Sequence, residues 1–157
     1  MMRFAFAALA AATLAATPAN AGPAEDATAA VTDWLDKFNA GDIPAFVAAH
    51  RDRALIVDEF APFLWGGSGS AQRWLEDYGK DAAARGISGG RVDYGKPIQA
   101  VSDGKSAYVV LPATYRFVQQ GTKMAGRGSM TFVMARSAGA WKISSWTYSG
   151  ATPVPER

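Results

Sequence analysis

The sequence predicts an α+β fold in which a curved antiparallel sheet wraps around about three N-terminal helices. Two observations lead to this prediction. The segment from about Pro23 to Arg85 is mostly amphipathic helix, whereas Lys105 to Ser149 contains three long strands separated by turn signals. Helices followed by a run of antiparallel strands are typical of a layered fold with the helices on one sheet. We expect a cone-shaped molecule with a pocket where the sheet curls around the helices.

The first 21 residues have the pattern of a cleaved export signal. Arg3 gives a positive start, Phe4–Ala16 is an alanine-rich apolar run, and Ala19–Ala21 fits a small-x-small cleavage site. The apolar run is shorter than the roughly 20 residues that span a bilayer, which disfavours the alternative of a retained anchor. We expect cleavage after Ala21 and a periplasmic or secreted protein that no longer contacts the membrane.

The remaining 136 residues, 22–157, suit one domain over 22–150 and an irregular tail over 151–157. Of 16 Lys and Arg residues the leader removes only Arg3, which leaves 15 against 14 Asp and Glu. The basic residues form no run, so binding to nucleic acid or to an anionic membrane is not supported. The chain has no Cys, which excludes disulfides and thiol chemistry.

Three helices are predicted from apolar periodicity and end signals. The first spans Pro23–Ala40 and stops at Gly41. A second, short helix is capped by Asp42 and continues through His50. The third starts after Ser68 or Ser70 and runs to about Arg85, before Gly86. The first stripe consists of Ala27, Ala30, Val31, Trp34, Leu35 and Phe38, and the third of Ala71, Trp74, Leu75, Tyr78 and Ala82.

The predicted strands are a short one at Ala54–Val57, an interrupted one at Arg91–Val101, and three long ones. The long strands span Ala107–Gln119, Met124–Arg136 and Trp141–Tyr148. They have apolar residues on both faces: the third has Trp141 and Ile143 on one face and Trp146 and Tyr148 on the other. Because a one-sided sheet should have a polar outer face, we predict that the outer face of the sheet binds a second copy and forms a homodimer.

Two segments resemble sequence features of the nuclear transport factor two-like superfamily. Gly139–Thr147 contains a turn glycine followed by W-K-I and a polar end, like the final strand of that superfamily. Phe38–Asp42 resembles the end of its first helix. The order of elements over Gly22–Gly150 agrees as well. Members include ketosteroid isomerase, scytalone dehydratase, limonene epoxide hydrolase and polyketide cyclases; the resemblance implies a cone with an apolar pocket, often a dimer, and no single activity.

Asp58 is the leading candidate for chemistry. In isomerase-like members, a carboxylate at the end of the first strand points into the pocket and acts as general base, and Asp58 matches that position. Glu59, one residue further, is expected to point to the opposite face. A carboxylate in an apolar pocket has a raised pKa and can move protons near neutral pH. The alternative is that both acids are solvated and simply end the strand.

Other features of known members of the superfamily are missing. The isomerases hold an oxyanion with a Tyr and a protonated Asp, but the first helix has Trp34 and Phe38 instead, and Met130–Met134 contains no acid. The hydrolase pattern needs an Arg flanked by two Asp, and no Asp lies in the strand that holds Arg116. Steroid isomerase and epoxide hydrolase activities are therefore not expected. Nothing in the sequence calls for a cofactor.

His50, the only histidine, allows two interpretations. It is either a hydrogen-bonded core residue or an acid/base partner to Asp58 of the kind that dehydratase-like members use. A metal site is not expected, because one His and no Cys leave only carboxylates as further ligands.

Large amphipathic rings are the candidate ligand-binding residues. Most rings should be core, but Trp and Tyr need hydrogen-bond partners when buried and commonly line small-molecule sites. Arg116 could hold an anionic group or pair across the sheet. Gly66–Ser70 lacks the Lys and the glycine spacing of nucleotide motifs and is interpreted as a flexible loop at the pocket rim. The candidate rings are Trp34, Trp65, Trp74, Tyr78, Tyr115, Trp146 and Tyr148.

Three classes of function remain open. The first and favoured one is an exported domain that binds a small apolar or aromatic molecule without a defined reaction. The second is a cofactor-independent lyase, isomerase or cyclase that uses Asp58. The third is an interaction module with a vestigial pocket. The missing oxyanion acid favours binding over catalysis.

Overall fold

Three helices and eight strands make up residues 22–156, the part of the chain that the computed structural model describes. The candidate leader lies outside the described residues. The helices are α1 (Pro23–Asn39), α2 (Ile43–Ala48) and α3 (Ser70–Arg85). The strands are β1 (His50–Val57), β2 (Leu64–Trp65), β3 (Ile87–Tyr94), β4 (Gln99–Ser102), β5 (Ser106–Gln119), β6 (Thr122–Ser137), β7 (Ala140–Gly150) and β8 (Val154–Pro155).

All eight strands form one curved sheet, which confirms the predicted α+β class. The order is β2-β1-β7-β6-β5-β3, with β4 also paired to β5 and β8 to β6. The sheet is mixed, because β1 lies parallel to β7 while the other pairs are antiparallel. The expectation of a purely antiparallel sheet was therefore wrong at this pair. The chain reaches β1 before it forms the meander, and α3 separates the two.

Several element boundaries differ from the sequence prediction. The second helix ends at Ala48, and His50 begins the first strand instead of ending the helix. The interrupted strand over 91–101 is two strands, because the turn around Gly95 and Pro97 redirects the chain between two stretches that pair with β5. The tail is not wholly irregular: Val154 and Pro155 pair with Met124 and Ala125 at the sheet edge.

The hydrophobic core lies between α1 and the concave face of the sheet. The predicted stripe of α1 is confirmed, since Ala27, Val31, Trp34 and Leu35 are all buried. Apolar side chains of the inner sheet face cover this helix, and Phe46 closes the core from α2. The fully buried inner residues include Val109, Leu111, Phe132 and Ile143.

A β-bulge in β7 corrects the predicted faces of the last strand. Met134 pairs with Ile143 and Val133 with Ser145, which leaves Ser144 as an extra residue. The bulge puts Ile143 and Trp146 on the same inner face, and both are buried. The outer face of this strand therefore presents Ser145 and Thr147 instead of large apolar residues.

None of the three helices in residues 22–156 has the length and hydropathy needed to cross a bilayer.

Candidate functional site

A cavity of about 480 Å³ opens where the concave sheet meets α1 and α3. Its wall is formed by one face of α1 and one face of α3, the turn after β1, the inner faces of β3, β5, β6 and β7, and the chain after β7. Most lining side chains are apolar or aromatic. They are Trp34, Leu35, Phe38, Asp58, Glu59, Phe60, Trp74, Tyr78, Asp81, Ala82, Arg85, Ile87, Val92, Tyr115, Phe117, Met130, Trp146, Tyr148, Gly150, Thr152 and Pro153.

Asp58 lines this cavity at the point where β1 ends. Its backbone N–H donates to the carbonyl of Phe63 at 3.2 Å, which closes the turn into β2. One carboxylate oxygen accepts from the N–H of Glu59 at 2.8 Å, and the other accepts from Trp74 Nε1 at 3.0 Å. Burial raises the pKa of Asp58 to about 6, and these hydrogen bonds oppose the rise only in part.

Glu59 also lines the cavity, contrary to the expectation that it faces away. That expectation applied strand alternation beyond the strand, but β1 stops at Val57 and a turn follows. Glu59 is exposed at the cavity mouth, where its Oε1 accepts from the backbone N–H of Gly150 at 2.6 Å. The carboxylate thereby ties the chain after β7 to the turn after β1.

Two tyrosine hydroxyls form a pair in the cavity wall. Tyr78 on α3 and Tyr115 on β5 approach to 2.8 Å between their hydroxyl oxygens. Burial raises the pKa of both hydroxyls, so both stay protonated. The pair packs against Gly90, where an added Cβ would lie 2.2 and 2.6 Å from the two oxygens. A side chain at position 90 would therefore displace the pair.

A count of protons shows which polar groups remain available to a ligand. Tyr148 donates its hydroxyl proton to the carbonyl of Gly126 at 2.9 Å, and the indole N–H of Trp74 is held by Asp58. In the tyrosine pair one hydroxyl donates to the other, so the second proton has no acceptor among the described residues. Of these groups, one phenolic donor remains, together with the carboxylate oxygens of Asp58 and Glu59; the buried indole N–H of Trp34, another lining residue, also has no partner among the described residues.

His50 does not line the cavity but lies behind two of its rings. Its Nδ1 donates to the carbonyl of Phe46 at 2.9 Å, and its Nε2 accepts from Trp146 Nε1 at 3.0 Å. Both ring nitrogens are thus satisfied in the neutral form, and burial lowers the pKa to about 4. Of the two sequence interpretations, this geometry agrees with the hydrogen-bonded core residue and not with a direct partner of Asp58.

Two of the candidate ligand-binding residues also lie outside the cavity. Trp65 donates its indole N–H to Asp77 at 3.0 Å and packs behind Phe60, with ring centroids 4.9 Å apart. Arg116 is on the outer face of β5, where it pairs with Asp93 and Glu156. Alternation along β5 explains this second error, since inward-facing Tyr115 and Phe117 flank Arg116.

The other candidates line the cavity, and their roles in binding or catalysis stay predictions. Asp58 and six of the predicted rings, Trp34, Trp74, Tyr78, Tyr115, Trp146 and Tyr148, line the cavity together. Sequence reasoning missed Phe38, Phe60, Asp81 and Arg85 as lining residues. Arg85 lies four residues after Asp81 on α3, and this spacing could have predicted that the two side chains share a helix face. No pattern in the sequence indicates that Thr152 and Pro153 return to the cavity.

Metal binding is not supported by the geometry of the described residues, which contain no group of three or more His, Cys, Asp or Glu side chains able to hold an ion. What the site can do is bind an apolar body and exchange hydrogen bonds or protons at its polar end. A carboxylate whose pKa is about 6 can accept a proton near neutral pH. The tyrosine pair can donate a hydrogen bond to an oxygen of a ligand.

Comparison with solved structures shows the same fold at low sequence identity. Hexachlorocyclohexane dehydrochlorinase from Novosphingobium barchaimii matches with a TM-score of 0.69 and 12% identity, over 84% of this chain and 88% of that one. A ketosteroid isomerase-like protein from Erwinia carotovora matches with 0.64 and 19%, over 83% and 97%. The CaMKII hub of S. rosetta matches with 0.65 and 20%, over 83% and 98%.

No functionally curated protein matches the chain. The family comparison is specific, however, because the model of the SnoaL-like domain matches residues 27–155. That range begins in α1 and ends in β8, so it contains every element that lines the cavity. The chain therefore belongs to the SnoaL-like domain family, within the superfamily of nuclear transport factor two-like folds.

Proposed function

We propose that this protein binds a small apolar or aromatic molecule in the cavity between α1, α3 and the sheet. The observation that carries the proposal is the cavity itself, which has a volume of about 480 Å³, walls mainly of apolar and aromatic side chains, and few polar groups. Small-molecule sites usually have this volume and this combination of lining groups. Three aromatic residues, Phe38, Trp74 and Tyr78, pack against one another with ring centroids 5.2–6.1 Å apart and give the wall a fixed shape.

Native mass spectrometry of the protein purified from its own compartment tests this proposal. We expect a retained molecule, or a change in tryptophan fluorescence when aromatic probes are added. The variant Ala82→Trp should block binding, because it puts an indole into the cavity from a partly exposed position on α3. If the variant folds and binds every probe as well as the wild type, the cavity is not the binding site.

Asp58 supports a second candidate function, proton transfer on the bound molecule. The specific observation is a carboxylate whose pKa is raised to about 6, in a cavity that also presents the Tyr78–Tyr115 donor pair. A base of this kind could take a proton from carbon while the pair stabilises charge on an adjacent oxygen. Replacing Asp58 by Asn should abolish turnover and preserve binding of a neutral ligand; retained turnover would exclude this role.

A homodimer through the outer sheet face also belongs to the proposal. Four apolar residues, Leu55, Tyr108, Val133 and Val101, line up with Ser145 in one row across five strands. Each of the four is at least 38% exposed in the single chain. An apolar row of this kind on a sheet face is typical of an interaction surface.

Light scattering after size exclusion distinguishes dimer from monomer. Val133→Lys puts a charge at the centre of the row and should produce a monomer. Val154→Lys, at a more exposed position away from the row, serves as the control and should leave the dimer intact. A wild-type protein that elutes as a monomer at micromolar concentration would contradict the dimer.

Export is the remaining part of the proposal and is supported by the sequence pattern of residues 1–21. The expected mature mass corresponds to a chain that begins at Gly22. Intact mass measurement of the protein recovered from the periplasm or the medium tests this directly. Full-length protein in the cytoplasm would contradict it.

A further inference from the structure

The charges around the cavity are unbalanced in favour of acids. Three carboxylates line it, from Asp58, Glu59 and Asp81, against the single guanidinium of Arg85. Arg85 is already neutralised, because its Nη1 lies 3.0 Å from Asp81 Oδ2. The two acids after β1 are therefore left without a positive charge to balance them.

Within residues 22–156, neither Asp58 nor Glu59 has a Lys, Arg or His nitrogen within 4.0 Å. Their hydrogen bonds come only from neutral donors: two backbone N–H groups and the indole of Trp74. Neutral donors stabilise a carboxylate in part, but a desolvated charge is compensated fully only by an opposite charge. Asp58, the more buried of the two acids, therefore has no opposite charge beside it among the described residues, whereas Glu59 is exposed to water.

The walls near these carboxylates suit the same kind of partner. Trp74, which holds Asp58, stacks on Tyr78 with 5.2 Å between ring centroids, and Phe60 lies 6.1 Å from Trp74. The face of an aromatic ring carries partial negative charge and attracts ammonium groups within about 6 Å. Trp74 itself is buried against Phe46 and Tyr78, so the rings of this region that can meet a ligand are Tyr78 and Phe60, which line the same cavity as the carboxylates.

A metal ion does not fit as the missing cation. Asp58 and Glu59 supply two carboxylates, and no third His, Cys, Asp or Glu among the described residues completes a cluster able to hold an ion. Ca²⁺ takes six to eight oxygen ligands, and the wall around these two carboxylates is mainly apolar and aromatic. An organic cation, in contrast, uses both the charge and the rings.

Building on the proposed binding function, we infer that the ligand of this cavity is a hydrophobic amine, bound with its ammonium group at Asp58 and Glu59 and its apolar body against the aromatic wall. The unused phenolic proton of the Tyr78–Tyr115 pair is then available to an oxygen of the same ligand. A neutral hydrocarbon would leave both carboxylates unbalanced, and an organic anion would be repelled by them.

Three probes with one ring system test the charge preference. They are 1-naphthylmethylamine as the cation, 1-naphthylmethanol as the neutral isostere and 1-naphthoate as the anion, each titrated by calorimetry at about pH 8. We expect the amine to bind about tenfold or more tightly than the alcohol, a difference of about 1.4 kcal/mol, because only the amine supplies a charge opposite to that of Asp58. The anion should bind most weakly.

Two variants locate the preference at the carboxylates. Asp58→Asn and Glu59→Gln should each lower the affinity for the amine and leave the affinity for the alcohol unchanged. Glu59 is exposed, so its substitution keeps the experiment informative if Asp58→Asn fails to fold. A merely structural effect of either substitution would weaken the binding of amine and alcohol alike, and that result would overturn the inference.

The outcomes separate this inference from the proposed function. Alcohol or naphthoate binding as tightly as the amine would overturn the cation inference while the cavity remains a binding site. If none of the three binds, or if all three bind Ala82→Trp as well as the wild type, the cavity is not the site and both conclusions fail.

Discussion

Replacing Asp58 by Asn should stabilise the folded protein at alkaline pH, because the carboxylate is held beside apolar rings at a cost. Its pKa is raised from 3.8 to about 6 in the folded state. A group with a raised folded pKa contributes stability below the unfolded value, and that contribution is lost as the pH rises through the folded value. At about pH 8 the ionised carboxylate therefore destabilises the fold by about 3 kcal/mol, at 1.36 kcal/mol per pKa unit.

An asparagine removes this cost but loses one hydrogen bond. Both oxygens of Asp58 accept, from Glu59 N–H and Trp74 Nε1, whereas an amide has only one oxygen. The lost bond costs about 1 kcal/mol. We expect a net gain of about 1–2 kcal/mol at about pH 8, which for a domain of this size raises Tm by roughly 3–8 °C.

Thermal unfolding of both proteins at a series of pH values measures the effect. The advantage of the variant should shrink as the pH falls through 6 and be smallest at about pH 4, where Asp58 of the folded wild type is neutral. Asp103→Asn is the control of opposite sign, because backbone N–H groups of Ser106 and Lys105 hold the pKa of Asp103 below its usual value. A difference between Asp58→Asn and wild type that does not change with pH would refute the reasoning.

Three further predictions concern the residues around the cavity. Gly90→Ala should displace the tyrosine hydroxyls and weaken binding of ligands with an oxygen acceptor, measured by calorimetry; unchanged affinity would show that the pair does not contact the ligand. Gly79→Ala, with open space at the new Cβ on α3, should instead raise the unfolding free energy by about 0.5–1 kcal/mol in chemical denaturation. His50 has a lowered pKa of about 4, so the stability that it contributes is present above pH 6.5 and lost as the pH falls to 4, by about 3 kcal/mol. Unfolding of wild type and His50→Asn by urea at several pH values checks this, and equal acid slopes would contradict it.

The helices and long strands could be predicted because each follows one regular spacing of apolar residues along the sequence. The stripe of α1 is visible in the sequence as apolar residues three and four apart, and it is the stripe that the sheet buries. Where a residue belongs to an irregular connection, periodicity gives no information. The spacing of His50 from the apolar residues of α2 fits a helix, which is why the sequence predicts it there. In the structure His50 instead begins β1, where it pairs with Ile143 of β7, a contact 93 positions away along the chain that local spacing does not contain.

The candidate site was predictable only in part for the same reason. Strand alternation correctly orients Tyr115, and applied with equal rigour it would have excluded Arg116. It fails for Glu59, which lies beyond the last paired residue, and for Trp146, whose face depends on a bulge at Ser144. The pairing of Tyr78 with Tyr115 joins a helix to a strand 37 positions away, a contact that no local pattern contains.

Asp58 affects the stability of the fold and also has two proposed roles, as a group that binds an ammonium ion and as a general base. The raised pKa means that the folded chain holds this charge in an unfavourable place, and perturbed groups of this kind concentrate at functional sites. A bound ammonium group would favour the ionised carboxylate and lower its pKa. A bound neutral substrate, from which Asp58 would take a proton, would exclude water from the carboxylate and raise the pKa of Asp58 further. Carbon-detected NMR titration of Asp58, with and without 1-naphthylmethylamine or 1-naphthylmethanol, therefore distinguishes a cation site from a general base. We expect the pKa of Asp58 to fall when the amine binds and to rise when the alcohol binds. Both ligands exclude water from the carboxylate, but only the amine supplies a positive charge.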